Sequence, residues 1–211
     1  MISAKNYSLL PDVKTLQMIC KAISVLDAII CPEWEYRYYS YNSKWSDDEE
    51  FFEMRNGSGD HMLMLFSQKC SVINGFIQDA PQPDIQKVTA DLPSVFEEFI
   101  FGEPVHSIGT TFCLWTTEPK SWHTGESGIT DDHLQEMLHI FDGNPQTYIN
   151  WATGYFEDSY KASGIPLETV TRIYNGEVLT KEMVLTIVGE PEDWDQLEED
   201  LTEADYPYSF D

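Results

Sequence analysis

The stretch His61 to Ile77, HMLMLFSQKCSVINGFI, decides the fold class of this chain. Two apolar runs, His61 to Phe66 and Cys70 to Ile77, flank the short polar link Ser67-Gln68-Lys69. Apolar runs of this length joined by a short polar connection are typical of two paired strands. We therefore predict an antiparallel hairpin here, within a central and mainly antiparallel sheet.

The segments before the hairpin predict a helix, a strand and a second, short helix. Apolar residues recur at helical spacing between Pro11 and Pro32, which indicates an amphipathic N-terminal helix. Glu33 to Tyr41, EWEYRYYSY, alternates polar and aromatic residues, and this pattern favours a strand. Ser46 is followed three residues later by Glu49, as in a capping box, so we expect a short helix over Asp47 to Met54.

The segments after the hairpin predict one more strand and then mostly helix. Thr110 to Thr117, TTFCLWTT, is rich in β-branched and aromatic residues and favours a strand, and a short helix is expected near Pro93. The helices expected in the C-terminal third are Asp131 to Phe141, one starting near Pro145, Pro166 to Tyr174, Thr180 to Val188 and Glu192 to Ala204. This segregation of helix and strand predicts a single α+β domain over residues 1–211, with a helix-plus-sheet region at 1–128 and a helical region packed on it at 129–211.

The composition restricts the class of partner. The 211 residues are 42% hydrophobic, which argues against disorder, and their formal net charge is −25. That charge repels nucleic-acid backbones and anionic membranes, so we expect neither as a partner and favour a basic protein. No signal peptide or membrane span is predicted. The cysteines Cys20, Cys31, Cys70 and Cys113 are far apart in sequence and are predicted to be buried free thiols, so we expect a cytoplasmic protein.

The turn Arg55 to Asp60, RNGSGD, is the first candidate for a binding site. Glycines allow close backbone approach, and the exposed amides of such a turn can hold an anion. A phosphate loop, however, runs from strand to helix and carries a lysine, whereas the order expected here is helix, loop, strand. The alternative is structural: glycine supplies a positive φ, Asp60 fixes the turn, and Arg55 pairs with the acidic residues before it. Arg55, Asn56 and Asp60 are retained as candidate binding residues.

Three further candidates lie near the later strand. Trp115 is in that strand, and Trp122 and His123 are in the polar loop after it, where an aromatic residue can be an interface hot spot. Equally, Trp122 can fold back over the sheet edge. No catalytic signature is present, and His133, Glu136 and His139 lack the spacing of a zinc helix. We therefore predict no catalytic residue, no metal and no cofactor.

The C-terminal segment from Glu190 to Asp211 is strongly acidic. It contains ten acidic side chains and no basic one. Trp194, Leu197 and Leu201 recur at helical spacing within it. We expect a helix that docks through this apolar stripe and exposes an acidic face, which a basic partner would recognise.

Several motifs resemble those of a family of uncharacterised acidic bacterial proteins. The motifs are RNGSGD at Arg55 to Asp60, TTFCLW at Thr110 to Trp115 and DGNPxTYxxWA at Asp142 to Ala152, and Ile173 to Val184 fits the same pattern. This resemblance implies no activity and no catalytic residue. The composition is also similar to that of bacterial immunity proteins, which neutralise toxins.

Two classes of function follow from these observations. The favoured one is a non-enzymatic, acidic protein-binding role, with a toxin-neutralising immunity protein as its most concrete form. The alternative is a small hydrolase or ligand-binding protein with its site near the 55–60 turn and the Trp115 strand. A deep pocket with a carboxylate of strongly shifted pKa beside His61 or His106 would favour this alternative.

Overall fold

A computed structural model describes residues 2, 6–126, 137–157, 159–191 and 193–210 of the chain. Its fold is of the α+β class, as predicted. Within those ranges the strands are β1 (Tyr39–Asn42), β2 (Glu49–Arg55), β3 (His61–Ser67), β4 (Cys70–Phe76), β5 (Phe112–Thr116), β6 (His123–Thr124), β7 (Leu179–Thr180) and β8 (Tyr208–Ser209). The helices are α1 (Val13–Ile30), α2 (Ile85–Val88), α3 (Glu97–Phe101), α4 (Val105–Ile108), α5 (Pro145–Tyr155), α6 (Leu167–Tyr174), α7 (Lys181–Ile187) and α8 (Trp194–Glu203).

The first six strands form one antiparallel sheet in the order in which they occur in the chain. The predicted hairpin is confirmed as β3 and β4, whose register runs from His61 opposite Phe76 to Ser67 opposite Cys70. Because consecutive strands are neighbours, short connections suffice between most of them. The hairpin lies in the middle of the sheet.

The two faces of the sheet bury two separate hydrophobic cores. Phe52 and Met64 face the larger core, together with α1 and the C-terminal helices. Phe51 and Leu65 face a smaller core covered by the segment that includes α3. Neighbouring residues of a strand point to opposite faces, so the pair Phe51-Phe52 contributes one ring to each core.

The N-terminal helix is confirmed as α1 and begins one residue after an N-cap. The Asp12 side chain accepts hydrogen bonds from the backbone N–H of Thr15 at 3.1 Å and from its hydroxyl at 3.0 Å. Most apolar residues of α1 are buried, and the helix packs along β1 and against α6. A single fully buried carboxylate, Asp27, interrupts its apolar surface.

The predicted helix over Asp47 to Met54 is wrong, because strand β2 occupies this segment from Glu49 onward. The Ser46–Glu49 pair does form, with the Ser46 hydroxyl donating to the Glu49 carboxylate at 3.0 Å, but it closes a turn before the strand. The burial of Phe51 and Phe52 on opposite faces of β2 and the pairing of all of β2 with β3 outweigh the helix-capping signal.

The strand predicted over Glu33 to Tyr41 is only partly correct. Its first part is a 3₁₀ turn, Trp34–Tyr36, and β1 begins at Tyr39. The Trp34 and Tyr36 side chains are exposed, so the alternation of the sequence does not correspond here to one buried strand face.

The C-terminal helices predicted near Pro145 and over 166–174, 180–188 and 192–204 are confirmed as α5 to α8. The helix predicted over Asp131 to Phe141 falls mainly on residues outside those described, and its last part is a 3₁₀ turn, His139–Asp142. The sequence did not predict the parallel pair of β7 and β8, in which Leu179 lies opposite Tyr208.

The described cysteines are free thiols, but they differ in burial. Cys20 and Cys113 are buried, as expected, whereas Cys31 and Cys70 are half-buried. In the part of the chain that the structure describes, no helix combines the length and the apolar character needed to span a bilayer.

Candidate functional site

The RNGSGD motif forms the turn between β2 and β3, so it connects two strands and not a helix to a strand. Asn56 organises this turn. Its side-chain oxygen accepts hydrogen bonds from the backbone N–H of Ser58 at 2.8 Å and of Asp60 at 3.0 Å, and its amide nitrogen donates to the Asp60 carboxylate at 2.7 Å. Asp60 also accepts from the backbone N–H of Gln78 at 2.9 Å. Both candidate residues therefore use their side chains to hold the turn.

Arg55 is fixed at the base of the turn by contacts with Trp34 and Glu53. Its guanidinium carbon lies 3.9 Å from the centre of the Trp34 ring, and Nη2 donates to the Trp34 carbonyl at 2.8 Å. Its Nε lies 3.6 Å from the Glu53 carboxylate. The ion pair expected from the sequence is present, and the stacking on Trp34 is an additional cation–π contact.

One side of the turn borders a cleft with a volume of about 890 Å³. Arg55, Gly57 and His61 line it from the hairpin, and Tyr36 and Tyr155 line it from the opposite side. Gly57 has φ of +72° and no heavy atom within 4 Å of the position of a β-carbon, so its backbone is open to the cleft. The Nδ1 atom of His61 is buried and has no hydrogen-bond partner. This cleft is large enough for a small ligand or for several side chains of a partner.

A second cleft, of about 430 Å³, adjoins the first. The two share Cys31, Tyr36 and Ser159 as lining residues. The second cleft runs between the C-terminal end of α1 and the N-terminal part of α8, where it is bordered by Glu33 and Asp193. We call the two adjoining clefts the trench.

The other three candidate residues lie elsewhere; Trp115 and His123 are cross-strand partners, but their side chains and that of Trp122 do not share one site. Trp115 is buried in the smaller core, whereas Trp122 is buried in the larger core and donates from Nε1 to the Pro11 carbonyl at 2.9 Å. His123 pairs with Trp115 across β5 and β6 and is exposed. Trp122 thus folds back onto the protein and is not an exposed interface residue. None of the three borders the trench.

The sequence gives no role to Asp27, which has the largest pKa shift among the carboxylates of the described residues. Its Oδ2 accepts hydrogen bonds from the backbone N–H groups of Tyr38 at 3.2 Å and Tyr39 at 2.8 Å, and its Oδ1 accepts from the Tyr148 hydroxyl at 2.8 Å. Complete burial is the largest influence and raises its pKa from 3.8 to about 7, although these hydrogen bonds and nearby Arg37 oppose the rise. The sequence signal for such a residue is that Asp27 is the single acidic residue among the apolar residues of α1.

Arg37 joins the end of α1 to α8. Its guanidinium donates to the carbonyls of Cys31 at 2.7 Å and Pro32 at 2.6 Å, and to the Asp200 carboxylate at 2.5 Å. Both partners of this ion pair are almost fully buried. The guanidinium therefore has carbonyl and carboxylate partners on several sides, as a buried charge requires.

The acidic C-terminal helix is docked as predicted. Leu197 and Leu201 of α8 are buried, and Trp194 is half-buried against the larger core. On one flank of α8 a shallow groove of about 640 Å³ is lined by four carboxylates, those of Asp195, Glu198, Glu199 and Glu203, with Lys44 as its one basic residue. The other flank borders the trench. Carboxylates thus line the grooves on both flanks of α8.

Among the residues described, no three His, Cys, Asp or Glu side chains are grouped closely enough to hold a metal ion. Of the histidines and glutamate with near-zinc-helix spacing, His133 and Glu136 lie outside those residues. The high-pKa carboxylate Asp27 is not among the lining residues of the cleft that contains His61. The clefts of the described residues therefore offer surfaces on which a ligand or a partner can bind.

Comparison of this chain with protein-family models, with curated proteins and with solved structures finds no match.

Proposed function

We propose that this chain is a non-enzymatic protein that binds a basic protein, and that it acts as an immunity protein neutralising a basic toxin. The observation that carries this proposal is the acidic helix α8, which is anchored by Leu197 and Leu201 and lined on both flanks by carboxylates. Because the helix is anchored, it holds Asp195, Glu198 and Glu199 along one flank.

Electrostatics supports this role in two ways. A net charge of −25 attracts a cationic partner over distances of about a Debye length, roughly 8 Å at physiological salt. Fixed carboxylates then complement the basic groups of that partner, which favours fast association and a defined orientation. An acidic surface placed over the basic active site of a toxin would block access to it.

Co-expression with a basic, toxic product of a neighbouring gene tests the proposal. We expect the chain to restore growth and to bind the purified product, with an association rate that falls as salt increases. The triple variant D195N/E198Q/E199Q should lower that rate at least about tenfold at low salt.

The matched control is D91N/E97Q/E98Q, which changes the net charge equally on exposed residues near α3. It should lower the rate less than about threefold, because those charges lie outside the α8 grooves. If the two triple variants lower the association rate equally, α8 is not the surface that binds the partner. Neighbouring genes that encode no toxic basic protein would overturn the immunity function.

A second candidate function, a small hydrolase or ligand-binding protein, is favoured by the cleft beside the 55–60 turn. In this case the site would be restricted to the turn and His61, since Trp115 lies in the smaller core. Ligand binding predicts that a small neutral compound raises the melting temperature, and that His61→Ala abolishes this rise. If the native protein and the His61→Ala variant hydrolyse a panel of ester and glycoside substrates at equal rates, a hydrolase site at His61 is excluded.

A further inference from the structure

The trench contains acidic groups along its whole length. At the α8 end, Glu33, Glu190 and Asp193 border it, and at the hairpin end Glu35 and Glu157 border it. All five of these residues are exposed. Asp193 accepts hydrogen bonds from the backbone N–H groups of Asp195 and Gln196, and Glu190 accepts one from Trp194. The exposed sides of all five carboxylates nevertheless face solvent and are accessible to a ligand in the trench.

The two arginines of the trench do not neutralise the negative charge of these carboxylates, because each arginine already contacts another acidic side chain. Arg37 is paired with Asp200, and Arg55 contacts Glu53 and stacks on Trp34. The trench therefore favours a cationic occupant over an anionic one.

Two exposed aromatic rings lie at the hairpin end of the trench. Tyr36 is 65% exposed and Tyr155 is 40% exposed. The Tyr155 ring is held by stacking on Trp151 at 5.2 Å and by an edge contact with Phe156 at 4.9 Å. A ring that is already immobile loses little entropy when a ligand packs on it.

We infer that the trench binds an extended, arginine-containing segment of the basic partner, with one guanidinium packed on Tyr36 and Tyr155 and facing Glu35 and Glu157. A guanidinium suits this end because it is planar, stacks on aromatic rings and donates in pairs to carboxylates. Further basic side chains of the segment lie beside Glu190 and Asp193. This inference rests on the proposed function, since it specifies how the basic partner is recognised.

Calorimetric titration of the full chain with defined peptides tests the inference. The probes are a nine-residue peptide of alternating glycine and arginine, and matched peptides with lysine or with citrulline in place of arginine, all at 150 mM salt. We expect the arginine peptide to bind about fivefold more tightly than the lysine peptide, because lysine stacks less well. The citrulline peptide should not bind measurably, because it carries no charge.

Variants of the trench locate the binding. Tyr36→Ala should weaken binding of the arginine peptide about fivefold, and E35Q/E157Q about tenfold. The matched controls are Phe101→Ala, which removes another exposed ring, and E97Q/E98Q, which removes two exposed charges elsewhere. Each control should change binding less than about twofold.

The outcomes separate this inference from the proposed function. If D195N/E198Q/E199Q weakens binding of the neighbouring-gene product while the trench variants leave the peptide affinity unchanged, the inference fails and the proposed function stands. Citrulline binding equal to that of arginine would show a neutral-ligand site and would also overturn the inference. If no basic peptide and no basic protein binds, both fail.

Discussion

Asp27 and the carboxylates of α8 place the same chemical group in opposite surroundings. Asp27 is completely buried and accepts three hydrogen bonds, from two backbone N–H groups and one tyrosine hydroxyl. Asp195 and Glu199 of α8 are exposed, and their carboxylates border an open groove. In the first region the carboxylate joins α1, β1 and α5, whereas in the second it contributes charge to the surface.

The difference shows that the acidity of this protein has two separate roles. Removing a buried acceptor leaves its donors without partners, which costs far more than the hydrogen bonds themselves contribute. Removing an exposed carboxylate costs little stability, because water already screens it. Stability should therefore depend on Asp27, and partner binding on α8.

Asp27→Ala should destabilise the protein most, by about 4 kcal/mol, because it leaves two N–H groups and the Tyr148 hydroxyl unpaired in the core. Urea unfolding followed by circular dichroism measures this loss. Asp27→Asn, which keeps an acceptor oxygen, should cost less than half as much. Equal losses for the two variants would contradict the role of the hydrogen bonds.

Arg37→Met should cost about 3 kcal/mol, since it leaves the nearly buried Asp200 carboxylate without its ion-pair partner. The same unfolding experiment applies. Adding Asp200→Asn to Arg37→Met should recover at least about 1 kcal/mol, because the unpaired buried charge is then removed. A double variant less stable than Arg37→Met alone would refute this explanation.

The raised pKa of Asp27 predicts a pH dependence of stability. Because the folded-state pKa, about 7, exceeds the unfolded value of 3.8, the folded protein binds the proton more tightly between these two pH values. The contribution of Asp27 is therefore fully present below pH 3.8 and is lost as the pH rises through 7. Relative to Asp27→Asn, the native protein should gain about 2 kcal/mol of unfolding free energy between pH 8 and pH 5. A difference between the two proteins that stays constant with pH would contradict the prediction.

Neutralising three carboxylates of α8 should have the smallest effect on the free energy of unfolding. D195N/E198Q/E199Q is expected to shift the free energy of unfolding by less than about 0.5 kcal/mol, because the three carboxylates lie on the outer side of a helix held by Leu197 and Leu201. Thermal unfolding compared with D91N/E97Q/E98Q measures this. A loss above about 2 kcal/mol would show that these acids are part of the fold.

The sequence correctly predicts those elements that have a long apolar pattern and no competing local signal. The β3–β4 hairpin and α1 have long apolar patterns with clear ends, and both predictions are confirmed. The segment 47–54 was mispredicted because its helix-capping signal is local, whereas its strand pairing with β3 is not. The two-residue strands β7 and β8 carry no periodicity, so only tertiary contacts reveal them.

The candidate site was predictable only at the turn. Arg55 was named from the sequence and does border the trench, whereas Asn56 and Asp60 hold the turn. Tyr36 and Tyr155 are far apart in the chain, and only the folded structure brings them to one cleft. Trp115 and Trp122 are hydrophobic anchors, in accordance with the usual position of tryptophan.

The position of Asp27 also has a consequence for how this protein behaves at high concentration. Strand β1 lies at the edge of the sheet, where a free row of N–H groups would offer a template for another chain. The N–H of Tyr39 on this edge is occupied by Asp27, and that of Ser43, just beyond the strand, by the Glu203 carbonyl at 2.8 Å. A carboxylate from α1 thus takes the place that the carbonyl of a further strand would fill, and it limits growth of the sheet from one molecule into the next.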